Sequence, residues 1–197
     1  MQKNTDYEKL EAFLSAKRLD SYLQKTHGNK EQATILYRDN LYQSKVFYAK
    51  LHWLEVGLRN AMNNTLSKQY GEQWFNNSAL GLAANEQAKI QKAIEKLKKE
   101  RKIFDNGNLI AELNLGLWVN LFNNQYDELF RKCLRKAFIS PTGILQRKQL
   151  SKILHAILKL RNRIAHYEPI IDYDLPTLAS DINKIIQLIA PESDFIE

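Results

Sequence analysis

Only 7 glycines and 4 prolines interrupt the 197 residues of this chain, and apolar residues return every third or fourth position through most of its length. That spacing lines one side of a helix with 3.6 residues per turn, whereas a half-buried strand needs strict alternation. No segment alternates convincingly, so the pattern predicts an all-α fold. A first helix is expected from Tyr7 to Gln24, carrying Leu10, Phe13, Leu14, Leu19 and Leu23 and closed by His27-Gly28-Asn29. A longer one should run from Glu31 to Gln69, with Gly71 as its C-terminal cap. Asn85 to Lys102 sets a narrow stripe of Ile90, Ala93, Ile94 and Leu97 against a lysine-rich side, the pattern of a solvated surface helix or of one that touches RNA. After a turn at Asp105-Asn106-Gly107-Asn108, a helix through LIAELNLGLWVNLF is expected to reach about Lys136. Ser140-Pro141-Thr142-Gly143 breaks the chain before helices at Leu145–His166 and Leu175–Ala190, the last carrying Leu178, Ile182, Ile185, Ile186 and Ile189. With no internal repeat, low-complexity tract or linker, residues 1–197 read as one domain.

Charge narrows the partners. Twenty-nine basic against 22 acidic side chains leave +7, which favours a polyanion, nucleic acid first, although surplus lysine also serves solubility. No run of about 18 apolar residues is available to span a bilayer, and MQKNTDYEKLEAFL lacks the apolar core of a secretory signal, so no membrane association and a cytoplasmic location are expected. Cys133 is the only cysteine, and no Asp/His cluster has ligand spacing, so neither a metal centre nor another cofactor is expected. Trp53, Trp74 and Trp118 read as core or packing aromatics, His155 as a surface histidine, and His27 and His52 carry no signal.

The stretch RNRIAHYEP, residues 161 to 169, is different. On a regular helix Leu150, Ile153, Leu154, Ile157 and Ile164 share one face, Arg161 falls in the middle of it, and His166 lies nearly opposite with Asn162 beneath. A guanidinium among apolar residues needs an anion. The stripe of Phe47, Leu51, Leu54, Leu58 and Met62 contains Glu55, so a buried Glu55–Arg161 ion pair joining two core helices is one expectation. The other is chemical. RNA carries its own nucleophile, and cleavage needs a proton carrier and a cation on the phosphate, roles suited to histidine and arginine. Five positions on a helix separate side chains by roughly 140°. Either the helix distorts or ends between Arg161 and His166, near Pro169, or two chains of a symmetric dimer share one cleft.

Arg161-Asn162-Arg163-Ile164-Ala165-His166 resembles the R-x4-6-H signature of HEPN domains (higher eukaryotes and prokaryotes nucleotide-binding). FLSAKRLDSYL, ILYRDNLYQSKVFYAKLHWLEVGLRNAMNNTL, IAELNLGLWVNLFNNQYDELFRKCLRKAF and LKLRNRIAHYEPI together resemble, in order, the Abi-like family of bacterial abortive-infection proteins. That resemblance implies an all-α HEPN bundle, a homodimer and metal-independent endoribonuclease activity in phage defence or as a toxin, under an antitoxin protein or small RNA. It assigns Arg161 and His166 as the catalytic pair with Asn162 in support. Glu55, Arg59 and Asn60 match the family's L-E-x-x-L-R-N block, and Arg163, Tyr167 and Glu168 complete an RNA-binding or supporting set. Many HEPN toxins read R-x4-H-x-Y; here Tyr167 follows His166 directly and Glu168 stands in the tyrosine's place, so regulation through that tyrosine is not implied. A non-catalytic RNA-binding or protein-interaction bundle is the alternative function.

Overall fold

The computed structural model of the protein describes residues 5–140 and 146–192. Among these, regular structure is helical throughout: α1 (Asp6–Leu14), α2 (Ala16–Lys25), α3 (Lys30–Tyr70), α4 (Ala84–Lys99), α5 (Asn106–Glu112), α6 (Leu115–Asn120), α7 (Asp127–Lys132), α8 (Arg147–Ala165) and α9 (Leu175–Ile189), with short 3-10 turns between. No helix among the described residues is long and apolar enough to cross a membrane. Two compact units emerge, Met1–Ala49 with Leu160–Asp174, and Lys50–Lys159 with Leu175–Glu197. Two of the three boundaries fall inside α3 and α8, and the third lies at the start of α9.

In the first unit, the single helix expected over Tyr7–Gln24 is two helices, broken at Ser15 where φ is 87°. The reason lies in phase. On one straight helix the apolar side of residues 7–14 and that of residues 19–23 would point roughly 140° apart, so both cannot reach one core. The break brings Tyr7, Leu10 and Leu14 together with Leu19, Tyr22 and Leu23, packed with Ala33, Leu36, Tyr37 and Ile171. Phe13, expected on the apolar stripe, is left 85% exposed. Thr5 and Glu8 close a reciprocal capping box at the start of α1. Tyr22 meets Tyr37 edge-on at 5.2 Å, and burial pushes its hydroxyl pKa up to about 12.

In the second unit, Leu51, Leu54, Leu58, Met62 and Leu66 of α3 are buried as their spacing requires, and Gly71 closes the helix at φ 85° with its N–H on the Ser67 carbonyl. Trp74 and Trp118 pack at 5.8 Å in the core. Trp53 does not join them: it lies on the other side of α3 from the leucines, 42% exposed and edge-on to His52. The helix expected to reach Lys136 is instead α5, α6 and α7 with 3-10 turns. Asp105, expected in a turn, caps α5 through the Asn108 N–H (2.7 Å), and Asn114 caps α6 through Leu117 (3.2 Å). Such side chains compete for backbone donors and start new helices. The segment is also apolar all round, with Leu109, Ile110, Leu113, Leu115, Leu117, Trp118, Val119, Leu121 and Phe122 all buried, more sides than one amphipathic helix can turn to a core.

A carboxylate lies inside this unit. Glu86, in the first turn of α4, is 3% exposed and accepts from Asn120 Nδ2 (2.9 Å) and Tyr126 Oη (2.8 Å), while Tyr126 Oη accepts the Ala83 N–H (3.0 Å). Helix α8 ends one residue before the expected His166, and α9 starts at Leu175 as expected and ends one residue before Ala190, while the expected break at 141–143 and helix start at Leu145 lie outside the described residues.

Candidate functional site

Six of the candidate site residues come from the last turn of α8 and the segment after it, all in the first unit. Helix α8 stays regular through Ala165, and the His166 N–H still reaches the Asn162 carbonyl at 3.0 Å. Tyr167 then adopts φ 57°, its N–H bonding the Ile164 carbonyl (3.0 Å), while the Glu168 N–H bonds the Arg163 carbonyl (2.8 Å). These two bonds are the Schellman closure. The helix therefore does not distort between Arg161 and His166, contrary to one expectation; a left-handed residue past both stops it, before Pro169. The two side chains still leave the helix roughly 140° apart.

Leu160 and Ile164 anchor this turn in the core, Arg161 is half-buried, and Asn162, Arg163, His166, Tyr167 and Glu168 are exposed. The Asn162 and His166 side chains make no hydrogen bond with another described residue. Arg163 Nε stands 3.5 Å from Glu168 Oε2, an exposed pair worth less than about 1 kcal/mol. The chain just beyond Pro169 is tied down: Ile170 is buried with its N–H on Asn40 Oδ1 (2.8 Å), Ile171 packs in the core, and Lys25 pairs with Asp172. Asn40 is a positioning residue the motif does not name. Its signal in the sequence is an asparagine on the buried side of α3, between Tyr37 and Phe47.

Tyr167 is unusual at this position, a 79% exposed ring on a left-handed backbone that glycine adopts without strain. Tyr167→Gly should therefore leave the melting temperature unchanged or raise stability by up to about 1 kcal/mol. A clear drop in thermal melting would show that the ring packs.

Glu55, Arg59 and Asn60 lie on α3 in the second unit. Glu55 is half-buried and its Oε1 accepts the Leu115 N–H at 3.1 Å, a carboxylate at the start of α6. Arg59 is half-buried with Nε enclosed and without an acceptor among the described residues, and Asn60 is exposed. No three His, Cys, Asp or Glu side chains among the described residues gather as a metal ion would need. Comparison with protein-family models, with curated proteins and with solved structures finds no match to this chain.

Proposed function

We propose that this protein is a metal-independent endoribonuclease built on a HEPN-type bundle, acting as an abortive-infection effector or toxin in the cytoplasm under an antitoxin protein or small RNA. The observation that supports the reading is the exposed imidazole of His166, unengaged by the described residues, on the same helix end as Arg161, Asn162 and Arg163. The cap is closed by the backbone bonds at Tyr167 and Glu168, and the imidazole makes no hydrogen bond in it.

In the proposed reaction the RNA 2′-oxygen attacks the adjacent phosphorus as its proton leaves to a base, and the bond from phosphorus to the 5′-oxygen breaks as that oxygen gains a proton. The products are a 2′,3′-cyclic phosphate and a 5′-hydroxyl. His166 moves one of these protons, and the Arg161 guanidinium balances charge on the non-bridging oxygens. Because the two side chains diverge on one helix, a two-fold dimer supplies Arg161 from one copy and His166 from the other at each phosphate.

Purified protein, freed of any inhibitor, should cut RNA in EDTA and leave cyclic phosphate ends, and light scattering should give a dimer at micromolar concentration. A fully active monomer would refute the shared cleft. Absence of cleavage with and without added metal would leave RNRIAHYEP as a capped helix end on an RNA-binding or protein-interaction bundle.

A further inference from the structure

An open cleft of about 560 Å³ lies within the second unit, between the first turns of α8 and the turn at Asn123 and Asn124. That is large enough for a nucleotide-sized group. Lys148, Ser151, Lys152 and His155 of α8 line one wall, as spacings of three and four require. Arg147 builds the other wall: Nε donates to Asp127 Oδ1 (2.9 Å), Nη1 to the Phe122 carbonyl (2.6 Å) and Nη2 to Asn124 Oδ1 (3.0 Å). Its charge is answered by Asp127, whose carboxyl the guanidinium holds below the ordinary value. The ammonium groups of Lys148 and Lys152 are exposed and have no ionic partner among the described residues, and no described carboxylate lines the cleft. The N-terminal end of a nineteen-residue helix adds a positive field.

His155 supplies a different kind of group. Its Nδ1 lies 2.8 Å from the Ser151 carbonyl oxygen, which can only accept, so Nδ1 carries the hydrogen and, in the neutral ring, Nε2 is left to accept. The histidine expected on the surface is in fact half-buried and lines the cleft. Two cations without an ionic partner among the described residues, beside an imidazole that can accept through Nε2, match an anion that adjoins a hydroxyl donor.

We propose that this cleft binds a ribose phosphate, with Lys148 and Lys152 on the phosphate and His155 Nε2 accepting from the sugar hydroxyl. The site is separate from RNRIAHYEP and binds without cleaving. It is tested in His166→Ala protein, in which the proposed cleavage is slowed, with the probe checked for intactness after each titration. Fluorescence polarisation with a labelled single-stranded RNA 12-mer and its DNA counterpart should show preference for RNA. Lys148→Ala/Lys152→Ala should weaken RNA binding at least tenfold near physiological salt and flatten the dependence of log affinity on log salt by about 0.7, one phosphate neutralised on a single strand. His155→Ala should lower RNA affinity towards that of DNA and leave DNA affinity unchanged. Calorimetry with adenosine monophosphate separates the sources: binding that the double lysine substitution removes identifies a free nucleotide, and response from the 12-mer alone identifies an RNA strand. Both lysines are exposed, so unchanged melting of the double variant guards against misfolding. RNA and mononucleotide affinities untouched by that variant, equal binding of RNA and DNA by the parent, or a preference that survives His155→Ala would each overturn the proposal.

Discussion

His166→Ala should slow RNA cleavage about 10²- to 10⁴-fold, the usual worth of a positioned general acid or base, with no measurable change in melting temperature. The structure makes this substitution unusually clean. His166 sits one residue past α8, is exposed, and makes no side-chain hydrogen bond with a described residue. Its one bond in the helix end, from the backbone N–H to the Asn162 carbonyl, survives in alanine. Loss of such a surface side chain costs under about 0.5 kcal/mol, so a rate lost at constant stability is a loss of chemistry. Arg161→Ala is the weaker test, because Arg161 is half-buried and its removal disturbs packing as well as charge. A variant lacking His166 that cuts as fast as the parent would end the catalytic reading. Tyr167→Gly complements it: a fall in cleavage without a fall in melting temperature would give the exposed ring a part in RNA binding.

Where periodicity is long and uninterrupted, the sequence was a sufficient guide. Helices α3, α4, α8 and α9 follow from uninterrupted apolar stripes, and Leu178, Ile182, Ile185 and Ile186 are buried as their spacing demands. Two failures have distinct causes. The break at Ser15 was legible in principle, because the apolar sides flanking it are out of phase, but periodicity alone ran across it; Phe13 then went to the wrong side. The run from Leu109 to Phe122 had no polar face to orient a helix, and only the capping side chains of Asp105 and Asn114 marked where segments start.

The motif was legible as a string of residues and much less so as a surface. Its exposed and buried members follow from the helix, but the closure at Tyr167 does not, since glycine usually marks that place. The support from Asn40, the bond from Leu115 to Glu55 and the surroundings of His155 are tertiary, and two of these three join residues 60 or more positions apart. A buried carboxylate is the extreme case. Nothing in ANEQAKIQ distinguishes Glu86 from its solvated neighbours, because what encloses it comes from 34 and 40 positions downstream.

Glu86→Ala should lower stability by about 3–5 kcal/mol, roughly 10 °C in melting temperature for a chain of this size. The cost comes from the groups left behind. Asn120 Nδ2 and the Tyr126 hydroxyl both donate to this carboxylate in the interior, and each stranded donor costs about 1–3 kcal/mol. Glu86→Gln keeps the shape and one acceptor oxygen and should lose about half as much. Tyr126→Phe removes one donor, so a double-mutant cycle with Glu86→Gln should be non-additive by about 1 kcal/mol or more. The direction with pH is set by the carboxyl itself. Burial alone pushes its pKa up, yet the bonds from Asn120 and Tyr126, with Lys89 nearby, more than offset this and hold it below the ordinary 4.5. A group with a depressed folded pKa contributes stability that is fully present above its unfolded value and is lost as pH falls through the folded one. The gap in melting temperature between parent and Glu86→Gln should thus be widest above pH 4.5 and close on further acidification. Melting curves that coincide at neutral pH, or a gap that widens with acid, would show that the charge of Glu86 does not hold α4 to the Asn120–Tyr126 segment.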